Sequence, residues 1–222
     1  MRLLATPALI LQQRWLLCAL SLFSSCAARP PHETGAFRPA ELVELTRLDS
    51  TLRLDIRYAT AHNFMGRVLY PQARAFLQRP AAEALVQVNA ELRLLGYRLL
   101  VFDGYRPWRI TKQMWDRTPA DKKEFVADPR KGSRHNRGCA VDVSLCDLTT
   151  GQEIDMTGDY DEMSPRSAAA YAGGTPAQRE HRDLLRHLME AHGFAVLPAE
   201  WWHFDFRDWK LYRIQNVPFD KL

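Results

Sequence analysis

SRHNRGCAVD, residues 133–142, passes from a polar turn into an apolar run that continues to Leu145. Gly138 gives the backbone freedom for a sharp turn, and residues 140–145 read as a core strand with a carboxylate, Asp142, at its start. Working outward, RLLVF (98–102) reads as a second buried strand that ends in the turn DGYRP (103–107), and residues 194–196 and 202–206 read as the last strands. Pro80 opens a helix that presents Ala81, Leu85, Val88, Leu92 and Leu95 on one face and stops at Gly96. Another helix starts at Thr175-Pro176-Ala177-Gln178, a capping threonine with proline in the first turn and glutamine three residues on, and ends at Gly193. Residues 108–116 suggest a short helix, and residues 119–132 and 164–174 suggest surface loops. Strand character is expected over residues 42–48 and at Leu52, Leu54 and Ile56, with a short return strand at 153–156. Strands and helices mix without βα alternation, so the expected class is α+β, a single domain with a small mixed or antiparallel sheet packed by helices.

The chain has 222 residues, 46% of them hydrophobic and 25% charged, enough for one well-formed core. The N-terminus reads as a targeting segment, residues 1–28. Arg2 and Arg14 precede the apolar run 15–23, too short for a bilayer span of roughly 20 residues, and the small residues SSCAA follow. Two processing routes fit: a lipid-carrying Cys26 after Ser24-Ser25, with Phe23 where leucine is usual, or cleavage after Ala28 to a soluble product. The expected location is therefore outside the cytoplasm, with membrane contact only through a lipid at Cys26. Residues 29–40, rich in proline and without periodicity, read as a linker, and residues 41–222 as the folded domain. Without Arg2 and Arg14 the balance is 28 basic to 26 acidic residues, which offers no charge excess for holding nucleic acid. Cys139 and Cys146 remain in the body; a bond across seven residues of extended chain is geometrically poor, so two buried free thiols are expected.

EWWH, residues 200–203, supplies a second pair of polar groups. His135, Asp142 and His203 are three ligands of the kind a catalytic zinc requires, with a fourth position left for water. A metal would also relieve the cost of a carboxylate at the head of an apolar strand. Glu200, three residues before His203, could then act as base toward a water held by the metal. Spacing alone leaves the bland readings open: a hydrogen-bonded structural histidine, an aspartate capping a turn. His181, His187 and His192 lie on one helix at spacings that share no face, and none is assigned to a metal.

SRHNRGCAVD resembles the SxHxxGxAxD signature of the LAS-type zinc peptidases, and EWWH resembles their ExxH motif. Within that group the chain is most similar to the D-alanyl-D-alanine dipeptidases of the VanX type, through RYATAHNFMG (57–66), FDGYRP (102–107) and MTGDYDEM (156–163). The resemblance spans residues 43–206, with a departure at His62, where an acidic residue is expected. It implies one zinc ion at the sheet centre, held by His135, Asp142 and His203, with Glu200 as catalytic base and Arg106 stabilising the oxyanion. It also implies that Tyr58, Ser133 and Asp161 touch the substrate, Asp161 pairing with the free ammonium of a dipeptide. A D,D-carboxypeptidase or murein endopeptidase on the same metal site, and a non-catalytic wall-binding domain, remain as alternatives.

Overall fold

In the computed structural model, which describes residues 28–222, the run that begins at Ala140 forms the middle of a five-stranded sheet. The elements in order are β1 (Leu42–Glu44), a one-turn helix α1 (Leu45–Leu48), β2 (Arg53–Leu54), β3 (Phe76–Gln78), α2 (Arg79–Leu94) and β4 (Tyr97–Asp103). They continue with α3 (Trp108–Arg117), β5 (Ala140–Asp147), α4 (Pro176–Ala191), β6 (Phe194–Leu197) and β7 (Glu200–Phe206). The sheet order is β2-β4-β5-β7-β6, with β2 parallel to β4 and the other neighbours antiparallel. β1 and β3 form a separate antiparallel ribbon. This is the mixed sheet of an α+β domain.

The period of two along β5 divides the sheet into a structural and a chemical face. Val141, Val143 and Leu145 enter the main core with Leu85 and Leu92 of α2 and Leu185 and Met189 of α4. Each such side chain, fully buried, contributes roughly 1.5–3 kcal/mol. Asp142, Ser144 and Cys146 alternate to the other side, where Cys146, Leu100 and Phe102 make a small apolar cluster against Tyr160. The capping box of α4 forms as its sequence suggests: Gln178 N donates to Thr175 Oγ1 at 3.2 Å, and Thr175 N donates to Gln178 Oε1 at 2.8 Å.

Three expectations need correction. Residues 45–48 are helical rather than extended, because this turn buries Leu45, and Asp49 beyond it accepts from Thr51 N and Asn89 Nδ2. Of the alternating stretch that follows, only Arg53 and Leu54 pair as strand. Residues 153–156 form a single bridge, Glu153 to Cys146, and no strand.

Residues 29–40 carry no helix or strand, yet they are fastened to the body. Glu33 pairs with Arg137 at 2.6 Å and accepts from Ile214 N at 2.7 Å, and Arg38 N donates to Leu211 O. Cys139 and Cys146 are buried free thiols, and burial pushes them up to about 12 and about 11. No helix among the described residues is long and apolar enough to cross a membrane.

Candidate metal centre and active-site pocket

Sheet register, rather than helical spacing, brings the polar groups together. Asp142 on β5 and His203 on β7 are direct cross-strand partners although 61 residues separate them. His135 arrives from a 3-10 turn, His135–Arg137, which Gly138 closes at φ 68°. A Cβ on Gly138 would lie 2.4 Å from Leu42 Cδ2, so packing against β1 excludes a side chain as firmly as the dihedral does. Gly104, in the turn after β4, sits so close to β3 that a Cβ would meet Phe76 O at 2.8 Å. That approach presents Gly104 O to His135.

The donor set fits zinc. His135 Nδ1 lies 2.7 Å from Gly104 O, a pure acceptor, so the ring proton sits on Nδ1 and Nε2 offers a lone pair. His203 Nε2 lies 3.0 Å from Asp205 Oδ1, which by the same reasoning frees Nδ1. These two nitrogens are 3.1 Å apart, and Asp142 Oδ1 is 3.3 Å from the first and 2.9 Å from the second. Tetrahedral zinc with bonds of about 2.0–2.1 Å places neighbouring ligand atoms about 3.3 Å from one another. Three converging acceptors without a proton between them require a cation, and among the described residues this is the one group of three or more so arranged. Without a metal the demand falls on a proton: burial lowers the His203 pKa, but hydrogen bonds to Asp142 and Asp205 outweigh it and push the ring up to about 10. Asp142 is held well below the usual carboxylate range, its burial overcome by the two histidines.

All eight residues singled out from the sequence line one cavity of 390 Å³, at the small end of the roughly 300–1,000 Å³ typical of small-molecule sites. Glu200 Oε2 is 3.8 Å from His203 Nδ1, and burial raises the carboxyl above an ordinary glutamate. Arg106 lies 5.1 Å over the Tyr58 ring, and its Nε and Nη2 both donate to Asp103 Oδ2, at 3.0 and 2.7 Å. Nη1 makes no hydrogen bond among the described residues. Ser133 Oγ accepts from His135 N at 3.2 Å, which leaves its hydroxyl proton free to donate. Asp161, at φ 61°, accepts from Tyr58 Oη at 2.9 Å. Burial first, and then the charge of Asp142, pushes its carboxyl up to about 8. Among the described residues no Lys, Arg or His forms an ion pair with Asp161, although the charge of Arg106 partly offsets the rise.

Both tryptophans of EWWH are buried, and Trp202 walls the cavity while Trp201 does not. A neighbouring cleft of 620 Å³ shares Phe64, Asp161 and Glu162 with this cavity, but the ligand triad lies in the smaller one. Three residues around the site were not singled out from the sequence. Asp103 orients Arg106 from three positions upstream, within DGYRP. Asp205 follows His203 by two residues and therefore shares its face of β7, a signal legible once that strand is recognised. Tyr160, whose Oη donates to Asp142 Oδ2 at 3.0 Å, stands inside MTGDYDEM, but nothing in that stretch points to its partner.

An α+β domain in which two central strands and the turn before one of them bring together a buried His/Asp/His donor set, with a buried glutamate at its edge, has the site of a zinc peptidase. The chain belongs to the D-ala-D-ala dipeptidase family, whose profile matches residues 38–220. It is 36% identical over 165 residues to the D-alanyl-D-alanine dipeptidase of Escherichia coli, covering 74% of this chain and 84% of that one. It is 34% identical over 178 residues to that of Enterococcus faecium, covering 71% and 87%. A solved D,D-dipeptidase, VanXYg in complex with a D-Ala-D-Ala phosphinate analogue, overlays with a TM-score of 0.42 at 17% identity, over 77% of this chain and 68% of that one. The family assignment rests on the sequence matches.

Proposed function

We propose that the protein hydrolyses the free dipeptide D-alanyl-D-alanine, with Glu200 as general base and acid and Arg106 as the oxyanion partner. The observation that carries this reading is the shared cavity: donor triad, base, guanidinium and the carboxylate of Asp161 surround one space of dipeptide scale. Relatives of this length and similarity bear the dipeptidase name. His135, Asp142 and His203 hold zinc, which supplies Lewis acidity at the reaction centre. Glu200 takes the proton of the attacking water and returns it to the leaving amine, a role its position beside the donor triad allows. Arg106, locked by Asp103, offers Nη1 to the charge that develops on the scissile carbonyl oxygen. Ser133 donates its hydroxyl to the substrate's carboxylate or carbonyl. Asp161, backed by Tyr58, pairs with the substrate ammonium and disfavours N-blocked or longer chains, whose acyl group would leave that carboxyl unpaired.

Asp161→Ala tests the amine pairing. Loss of a charged hydrogen bond of about 2–3 kcal/mol lowers kcat/KM for the free dipeptide roughly 30- to 150-fold. Unaffected dipeptide cleavage in this variant would sink the ammonium assignment.

The same reading places the protein outside the cytoplasm, acting on D-alanyl-D-alanine from the cell wall and returning D-alanine for reuse. Support comes from the charged, apolar and small-residue order of residues 1–28, of which all but Ala28 lie outside the described residues. A mature N-terminus whose mass corresponds to lipidated Cys26, or to a start at Arg29, is expected. A mature chain still beginning at Met1 would contradict export.

A further inference from the structure

Each atom that faces the metal position is fixed by a hydrogen bond on the far side of its ligand. His135 is held by a backbone carbonyl, Gly104 O. The other two ligands are held by side chains that do not line the substrate cavity. Asp142 turns Oδ1 toward the histidines and accepts on Oδ2 from Tyr160 Oη at 3.0 Å. His203 turns Nδ1 inward, with Asp205 Oδ1 3.0 Å from Nε2.

Both partners are themselves anchored. The Tyr160 ring stacks on Phe102 at 4.5 Å and meets Trp202 edge-on at 5.6 Å. Asp205 Oδ2 lies 3.3 Å from Arg134 Nε, and the Arg134 guanidinium rests 4.8 Å over the Trp209 ring. A chain of contacts therefore runs outward from His203 through Asp205 and Arg134 to Trp209, which is half-buried against the core.

We propose that Tyr160 and Asp205 are positioning residues of the zinc centre: Tyr160 restricts Asp142 to ligation through one oxygen, and Asp205 fixes His203 in the tautomer that presents Nδ1. A carboxylate with an unoccupied second oxygen can swing it onto a metal and fill the position that a catalytic zinc site keeps open. The tyrosine hydroxyl occupies that second oxygen. A neutral imidazole has a single proton, and the Asp205 carboxylate keeps it on Nε2 while its charge makes the ring a stronger donor. Neither residue touches the reacting groups; both act through a ligand.

The test reads metal binding directly and stays informative whichever substrate the enzyme cleaves. Tyr160→Phe keeps the ring stack and removes only Oη. Asp205→Asn keeps an acceptor and removes the charge. Zinc affinity of each full-chain variant is measured by competition with a chromophoric chelator, with the visible spectrum of the cobalt(II)-substituted protein as a second readout. Each substitution is expected to weaken zinc binding roughly 10- to 100-fold. The cobalt form of Tyr160→Phe also loses d–d absorption intensity, because the second oxygen of Asp142 joins the ion and raises its coordination number. Asp205→Asn keeps the parent's band shape. Thermal unfolding of the metal-free variants reports the fold separately. Affinities within about twofold of the parent for both variants overturn the proposal. A fall in affinity that comes only with unfolding of the metal-free protein overturns it equally, since it assigns both residues to the fold.

Discussion

Glu200→Gln lowers kcat for D-alanyl-D-alanine roughly 10³-fold, the central range for removing a positioned general acid–base, while zinc affinity stays close to that of the parent. The two halves of this expectation have separate causes. Glu200 stands beside the donor triad, 3.8 Å from His203 Nδ1, and is not one of its three members. In the proposed mechanism its loss removes a proton carrier and leaves the donor triad as it is. Glutamine keeps the volume and one acceptor, so the cross-strand place opposite Leu197 is preserved. The pH profile of the parent follows from the same residue. Burial raises the Glu200 carboxyl and a dication held by the triad beside it opposes that shift, so the expectation is that the acid limb of kcat/KM belongs to Glu200 and is missing from the Glu200→Gln profile. Steady-state kinetics across pH, with metal content measured on the same samples, checks both. A variant that retains most of its activity with full metal would remove Glu200 from the chemistry.

Stripping the metal with a chelator abolishes hydrolysis and lowers the melting temperature by about 10 °C, and added zinc restores both. The stability effect follows from what the ion holds together. Asp142, His135 and His203 are all buried and converge on one point, and without a cation they must recruit a proton. A ligand present at about 1,000 times its Kd stabilises by about 4 kcal/mol, and each kcal/mol shifts the melting temperature of a domain this size by about 2–4 °C. The metal-free protein still unfolds cooperatively, because the main core of Val141, Val143, Leu145 and the two long helices lies on the opposite face of the sheet. Scanning calorimetry with and without chelator measures the shift. Equal melting temperatures would show that the triad does not hold a metal under native conditions.

Elements with strong local signals were legible in the sequence. α4 is announced by Thr175, Pro176 and Gln178, and its capping box forms with those residues. β4 and β5 are apolar runs bounded by turns, and both are core strands. The weak region lay between residues 42 and 56, where Leu45 and Leu48, three residues apart, belong not to a strand but to a single helical turn that buries Leu45. Four residues are too few for periodicity to separate the two. The candidate donor triad was legible because the SxHxxGxAxD and ExxH patterns resemble known peptidases; spacing by itself left a cap or a structural histidine open. What joins Asp142 to His203 is antiparallel register across β5 and β7, which no local spacing encodes. The same holds for Tyr160, whose bond to Asp142 depends on how the segment after β5 folds back over Phe102. Asp103 and Asp205 stood within the quoted motifs or just beyond them, and only the structure gives their partners.

Release of D-alanine by the zinc-loaded protein, from D-alanyl-D-alanine and from its N-acetylated form in parallel, is the decisive experiment. A dipeptidase with Asp161 facing the substrate ammonium cleaves the free dipeptide rapidly and leaves the blocked one intact. Comparable cleavage of the blocked substrate would move the enzyme to the carboxypeptidase side. Cleavage of neither, with zinc bound, would contradict the dipeptidase reading altogether.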